Sequence, residues 1–171
     1  MSMIANFLRV SQEELDSYLK DSSLLEDRIY DDEREDEDPY LLDIDKAWDG
    51  ILYLLTGKGV EEIDFSNSAG LHCAIFSGQM IDPEQDLGYG PAHYLTPNQV
   101  KSISNALLKK DKDDLYKVFN PEDMTDKEIY PEIWEDEGDE AFDYLYTYFQ
   151  QLQQFYDQAA SEDQAVISIL N

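Results

Sequence analysis

The sequence predicts an α+β fold: a mostly helical single domain with a small sheet that includes the N- and C-terminal strands. Three observations carry this. Several segments repeat apolar residues in steps of three and four, the helix period. Two short apolar runs, Met3 to Val10 and Ala165 to Leu170, stand at the ends and are too short for helices. The 171 residues are 42% hydrophobic and 12% aromatic, enough to bury roughly 70% of the unfolded surface in one core.

The elements follow in order. Met3 to Val10 shows no alternation, so it reads as a strand buried on both faces. Ser11 and Glu14 form a capping box that starts a helix from about Gln12 to Leu19. From about 26 to 39 like charges crowd together, and Glu26 to Asp38 reads as a solvated loop closed by Pro39. Asp43 is positioned to cap the next helix, whose stripe is Ile44, Ala47, Trp48, Ile51, Leu52 and Leu55. Gly57 stops it, and Gly50 inside it implies a close-packed neighbour.

Leu71 to Phe76 favours a helical turn over a strand. Asp86 to Pro91 is a loop fixed by glycine and proline, and Ala92 to Leu95 a short strand. Thr96, Pro97 and Gln99 open a helix that runs to about Lys109. A short helix over Asp113 to Phe119 is ended by Asn120-Pro121, and Glu128 to Trp134 forms an ordered aromatic loop. The longest helix, about Asp139 to Ala160, carries a stripe from Phe142 to Tyr156. A second stripe of Tyr144, Tyr148 and Phe155 implies packing on two sides, or aromatics presented to a partner. The terminal strands, both without a solvent-facing pattern, pair most economically with each other beneath the helices.

Thirty-nine acidic residues against twelve basic ones give a formal net charge of −27. Such a field repels nucleic acid phosphates and the anionic face of a membrane, and leaves a basic protein partner, a divalent cation or no charged partner at all as compatible. No run reaches the ~20 apolar residues of a membrane span. The N-terminus lacks a basic leader, and a cytoplasmic protein is expected.

Catalytic chemistry finds little support in the residues, and no catalytic, cofactor or metal residues are assigned. Cys73 follows His72, with His93 downstream, but adjacent side chains usually diverge and Cys73 sits among Leu71, Ala74 and Ile75. One cysteine and two histidines cannot assemble a zinc site, and a calcium loop opening at Asp111 would need glycine where Tyr116 stands. Asp43 and Asp45 are the best-placed carboxylate pair, yet a helix start accounts for both. The glycines of Gly88-Tyr89-Gly90-Pro91 form no phosphate cradle; with His93 and Tyr94 nearby, this loop suits the wall of a pocket.

Met1-Ser2-Met3-Ile4, the stretch Leu42-Asp43-Ile44-Asp45-Lys46-Ala47-Trp48 through Leu55-Thr56-Gly57, the loop Gly88-Tyr89-Gly90-Pro91-Ala92 and Glu128-Ile129-Tyr130-Pro131 together resemble the YfbM-like bacterial proteins. The resemblance spans nearly the whole chain, and the Leu-Asp-Ile-Asp-Lys-x-Trp stretch is its most specific part. It implies an α+β fold and a bacterial cytoplasmic origin. This family is a domain of unknown function and supplies no catalytic or binding residues to transfer.

Two functional expectations result. The first is a non-enzymatic interaction protein that binds a basic partner, an acidic inhibitor or immunity-type protein being one form. Its acidic patch is Asp31, Asp32, Glu33, Glu35, Asp36, Glu37 and Asp38. The second is a small-molecule-binding protein or enzyme with a pocket near Asp43, Asp45, Lys46, Trp48, Tyr89, His93 and Tyr130.

Overall fold

A computed structural model describes residues 2–31 and 37–171. Four strands form one antiparallel sheet in the order β2-β1-β4-β3: β1 (Ala5–Val10), β2 (Leu41–Asp43), β3 (His93–Leu95) and β4 (Ala165–Leu170). The terminal strands pair over their full length, Ala5 opposite Leu170 and Val10 opposite Ala165. Their lack of alternation has the expected cause: Phe7 and Val166 enter one hydrophobic core, while Leu8, Val10, Ile167 and Ile169 enter another on the opposite face.

The larger core lies under α3 (Trp48–Thr56), α4 (Pro97–Leu108) and α8 (Asp139–Ser161). The smaller one is covered by α1 (Gln12–Lys20), α2 (Ser23–Ile29) and the segment from Ile81 to Ala92. Both predicted capping boxes form, at Ser11 with Glu14 and at Thr96 with Gln99. Gly57 closes α3 in the left-handed region, at φ 73°. Where α8 passes α3, a Cβ on Gly50 would lie 2.6 Å from Leu145 and 2.8 Å from Trp134, the close neighbour its presence implied. The second stripe of α8 reflects packing on two sides. Phe155 meets Phe7 edge-on, and the Tyr144 hydroxyl donates to Asp45 Oδ2 at 2.8 Å.

Several elements depart from the sequence reading. The acidic stretch is not loop from Glu26 onward, because α2 runs to Ile29. Fully buried Leu25 anchors that helix beside Leu15 and Tyr18, and this burial outweighs the local charge. Asp43 does not cap α3. It ends β2, and its Oδ1 accepts from the Asp45 N–H at 2.7 Å; a 3₁₀ turn over Asp45–Ala47 then leads into the helix. Pairing of Leu41–Asp43 with β1 delays the helix start to Trp48. Asn120-Pro121 ends α5 (Lys112–Val118) but also starts α6 (Pro121–Asp126), Asn120 Oδ1 accepting from the Asp123 N–H at 3.1 Å. The aromatic loop passes through a cis Tyr130–Pro131 bond into the short α7 (Trp134–Glu137).

Among the described residues no helix is long and apolar enough to cross a membrane.

Candidate functional site

The Gly57 turn sends the chain back beside the first turn of α3, so the Val60 N–H meets Asp49 Oδ1 at 3.1 Å. The other oxygen, Oδ2, accepts from the Tyr130 N–H at 3.0 Å. Asp49 is only 4% exposed and straps two loops to one helix. Burial pushes its carboxyl up from the ordinary value, opposed by the two backbone donors. With both oxygens occupied, Asp49 positions its neighbours and is not a free base.

Around this strap the aromatic residues close a ring. Trp48 stacks on Tyr130 at 5.8 Å between ring centres and meets Phe76 edge-on at 5.7 Å. The Trp48 indole N–H donates to the Met3 carbonyl at 3.1 Å, and the Met3 N–H donates to the Tyr130 hydroxyl at 3.0 Å. The N-terminal segment is thereby pinned to the aromatic loop.

These groups form the floor of a cleft of about 690 Å³. Its rim is acidic: Glu61 and Glu62 come from the turn after Gly57, Asp126 from the last position of α6, and Glu128 and Glu132 from the loop after it. Among the described residues Lys127 is the only cation lining the cleft, and it pairs with Glu62 at 3.2 Å. Glu128 and Glu132 are held at φ 54° and 66°, a backbone region in which non-glycine residues concentrate at binding sites.

A second hollow of about 290 Å³ adjoins the cleft and shares Val60, Phe76 and Leu170 with it. Tyr89, Pro91 and His93 line it together with Phe65 and Met80. The Tyr89 loop reaches this position because Asp86 Oδ1 accepts from the N–H groups of Gly88 and Gly90, and the Tyr89 N–H donates to the Leu170 carbonyl. Gly88, at φ 133°, lies where a Cβ would come within 2.9 Å of Asn171, so the close docking requires glycine. His93 Nδ1 accepts from the Gly78 N–H at 2.9 Å, and burial pulls its pKa down to about 4.

Of the seven pocket residues expected from the sequence, four therefore line two adjoining hollows: Trp48 and Tyr130 in the cleft, Tyr89 and His93 beside it. Asp43, Asp45 and Lys46 stand apart at the entrance to α3, where Asp45 is held by Tyr144. Of the expected acidic patch, Asp32, Glu33, Glu35 and Asp36 lie outside the described residues. Asp31 and Glu37 are exposed, and Asp38 Oδ2 accepts from Arg28 at 2.6 Å.

Sequence reasoning missed Asp49 and the carboxylates of the rim. For Asp49 a signal existed: it is the only charged residue from Trp48 to Leu55, and an ionisable group inside so apolar a helix needs bonded partners. The expected divergence of His72 and Cys73 is corrected, since Sγ lies 3.5 Å from His72 Nε2. The 3₁₀ turn over Leu71–Ala74 brings them together. Both are buried, and burial drives the thiol up and the imidazole down, so the pair is held neutral rather than as thiolate and imidazolium.

No curated protein matches the sequence. The fold is similar to that of "a Protein of Unknown Function YfbM from Escherichia coli", seen in its crystal structure. The TM-score is 0.76, and 98% of this chain and 99% of that chain are covered at 19% identity; at that identity the likeness speaks for the fold. Residues 1–169 match the family model described as a domain of unknown function, DUF1877. With the match running along nearly its entire length, the chain belongs to the DUF1877 family.

Proposed function

We propose that this protein is a non-enzymatic acidic interaction protein that binds a basic protein partner, and that the acid-rimmed cleft receives a lysine or arginine of that partner. The observation that carries this is the combination of rim and floor. Glu61, Asp126, Glu128 and Glu132 supply negative charge that Lys127 does not neutralise, above Tyr130 and Phe76. Carboxylates attract a cation over distance, and an aromatic surface holds its less hydrated stem and head. The net charge of −27 adds steering toward a basic surface. On this reading the protein acts in the bacterial cytoplasm, and Asp31, Glu37 and Asp38 belong to the surrounding acidic field.

Affinity capture from a bacterial lysate tests the proposal. A basic partner should be retained at about 0.05 M salt and released at about 0.5 M, where screening shortens to a few ångströms. Empty or salt-insensitive capture contradicts it.

One observation favours a second reading, a small-molecule-binding protein or enzyme. The cleft volume of about 690 Å³ falls in the range of small-ligand pockets. A metabolite that stabilises the protein against heat, without any basic partner being captured, would favour that reading.

A further inference from the structure

The hollow beside the cleft has a character of its own. Three of the nine large apolar side chains exposed among the described residues, Phe65, Met80 and Tyr89, lie together on its walls. Such clustering marks a contact surface, whereas scattered apolar residues do not. Phe76 and Phe65 flank His93 at 5.3 and 6.1 Å between ring centres. Because His93 Nδ1 accepts from the Gly78 N–H, the neutral ring carries its proton on Nε2. Among the described residues that N–H has no acceptor. An apolar hollow with one fixed, unused donor is suited to an apolar side chain attached to a carbonyl.

The surroundings select the occupant. The shared walls Val60, Phe76 and Leu170 join this hollow to the acidic cleft, so whatever fills it also faces the rim. A second copy of this chain would bring another charge of −27, and an anionic lipid surface would likewise be repelled. Charge complementarity leaves a basic polypeptide.

We infer that the two hollows form one recognition site for a basic–apolar segment of the protein partner. The cleft seats a lysine or arginine, and the hollow seats a neighbouring apolar side chain, preferably aromatic. His93 Nε2–H donates to a backbone carbonyl of that segment. This inference rests on the reading of the cleft as a cation site.

Three acetylated, amidated pentapeptides titrated into the full chain, followed by backbone amide NMR shifts, test it: Gly-Lys-Gly-Phe-Gly, Gly-Lys-Gly-Gly-Gly and Gly-Gln-Gly-Phe-Gly. Burial of one aromatic side chain should make the first bind about tenfold tighter than the second, or more. Shifts should appear at Gly78 and His93 only with the phenylalanine peptides. Met80→Gln and Tyr89→Gln, both at exposed positions, should remove most of that preference while the melting temperature stays unchanged. Equal binding of the two lysine peptides overturns this inference and leaves the cation cleft standing. Tighter binding of the glutamine peptide than of the lysine peptides, or no shifts with any peptide, overturns the cleft reading and this inference together.

Discussion

At the residue scale, the site depends on buried polar groups whose protonation is fixed by their surroundings. Asp49 offers two acceptor oxygens to two N–H groups, an arrangement that asparagine cannot copy, because its amide would oppose one donor with another. Asp49→Asn should therefore destabilise the fold by about 1–3 kcal/mol, read by denaturant unfolding, and broaden the amide signals of Val60 and Tyr130. His93 makes a pH prediction. Its imidazole pKa falls from the ordinary 6.5 to about 4 in the folded chain, so between these values the unfolded chain takes a proton that the folded chain refuses. Stability should fall as pH drops through that window and should not respond to His93 above it. Asp49 works in the opposite sense, since its raised carboxyl pKa makes the folded chain the better proton acceptor just above the ordinary carboxylate range. The two effects are separated by His93→Asn, which keeps an acceptor for the Gly78 N–H but does not titrate. It should reduce the loss of stability between pH 6.5 and 4 by on the order of 2 kcal/mol, after discounting the partial exposure of His93. An unchanged slope would remove His93 from the account.

At the element scale, legibility followed the strength of local signals. The helices with capping residues and regular stripes, α1, α4 and α8, could be located from the residues, because capping and burial act within a few positions. The terminal strands were recognisable because each is a short, mostly apolar run with no helix period. By contrast, β2 is three residues, Leu41–Asp43, with no pattern of its own, and it exists because β1 offers an open edge. The same pairing displaced the start of α3. Helix α2 was hidden by its acids, its anchor being the single fully buried Leu25. Gly50 was correctly legible as a packing glycine, which gives a prediction with a definite sign. Gly50→Ala gains about 1 kcal/mol in helix propensity but pushes a methyl into Leu145 and Trp134, an overpacking that costs about 1–3 kcal/mol. Net destabilisation in urea unfolding is expected; net stabilisation would show that α3 and α8 are less closely packed than described.

Across the whole molecule, charge obscured the site that charge creates. With 39 acidic residues, no set of carboxylates stands out in the sequence, and the densest run, from 31 to 38, drew attention away from the rim. Glu61, Glu62, Asp126, Glu128 and Glu132 come from two segments far apart in the chain, brought together by the Asp49 strap and the Lys127–Glu62 pair. Trp48, Tyr89, His93 and Tyr130 were legible because they lie in or beside the stretches that carry the resemblance to the YfbM-like proteins. What the residues could not show is that the four line two hollows with a common wall, while Asp43, Asp45 and Lys46 serve the turn into α3. A field of −27 attracts any basic surface to some degree, so attraction alone does not establish a site.

The decisive measurement compares two variants of equal net charge for retention of a basic partner at low salt. Glu61→Gln/Glu128→Gln/Glu132→Gln neutralises the rim, and Glu13→Gln/Glu26→Gln/Glu84→Gln neutralises exposed positions around α1, α2 and the Ile81 to Ala92 segment, beyond the opposite face of the sheet. The cleft account predicts at least about tenfold weaker binding for the first variant, the cost of removing charge from the contact itself. It predicts little change for the second. Equal weakening of the two would mean that the overall field does the binding, and would contradict the cleft as the place where the partner is held.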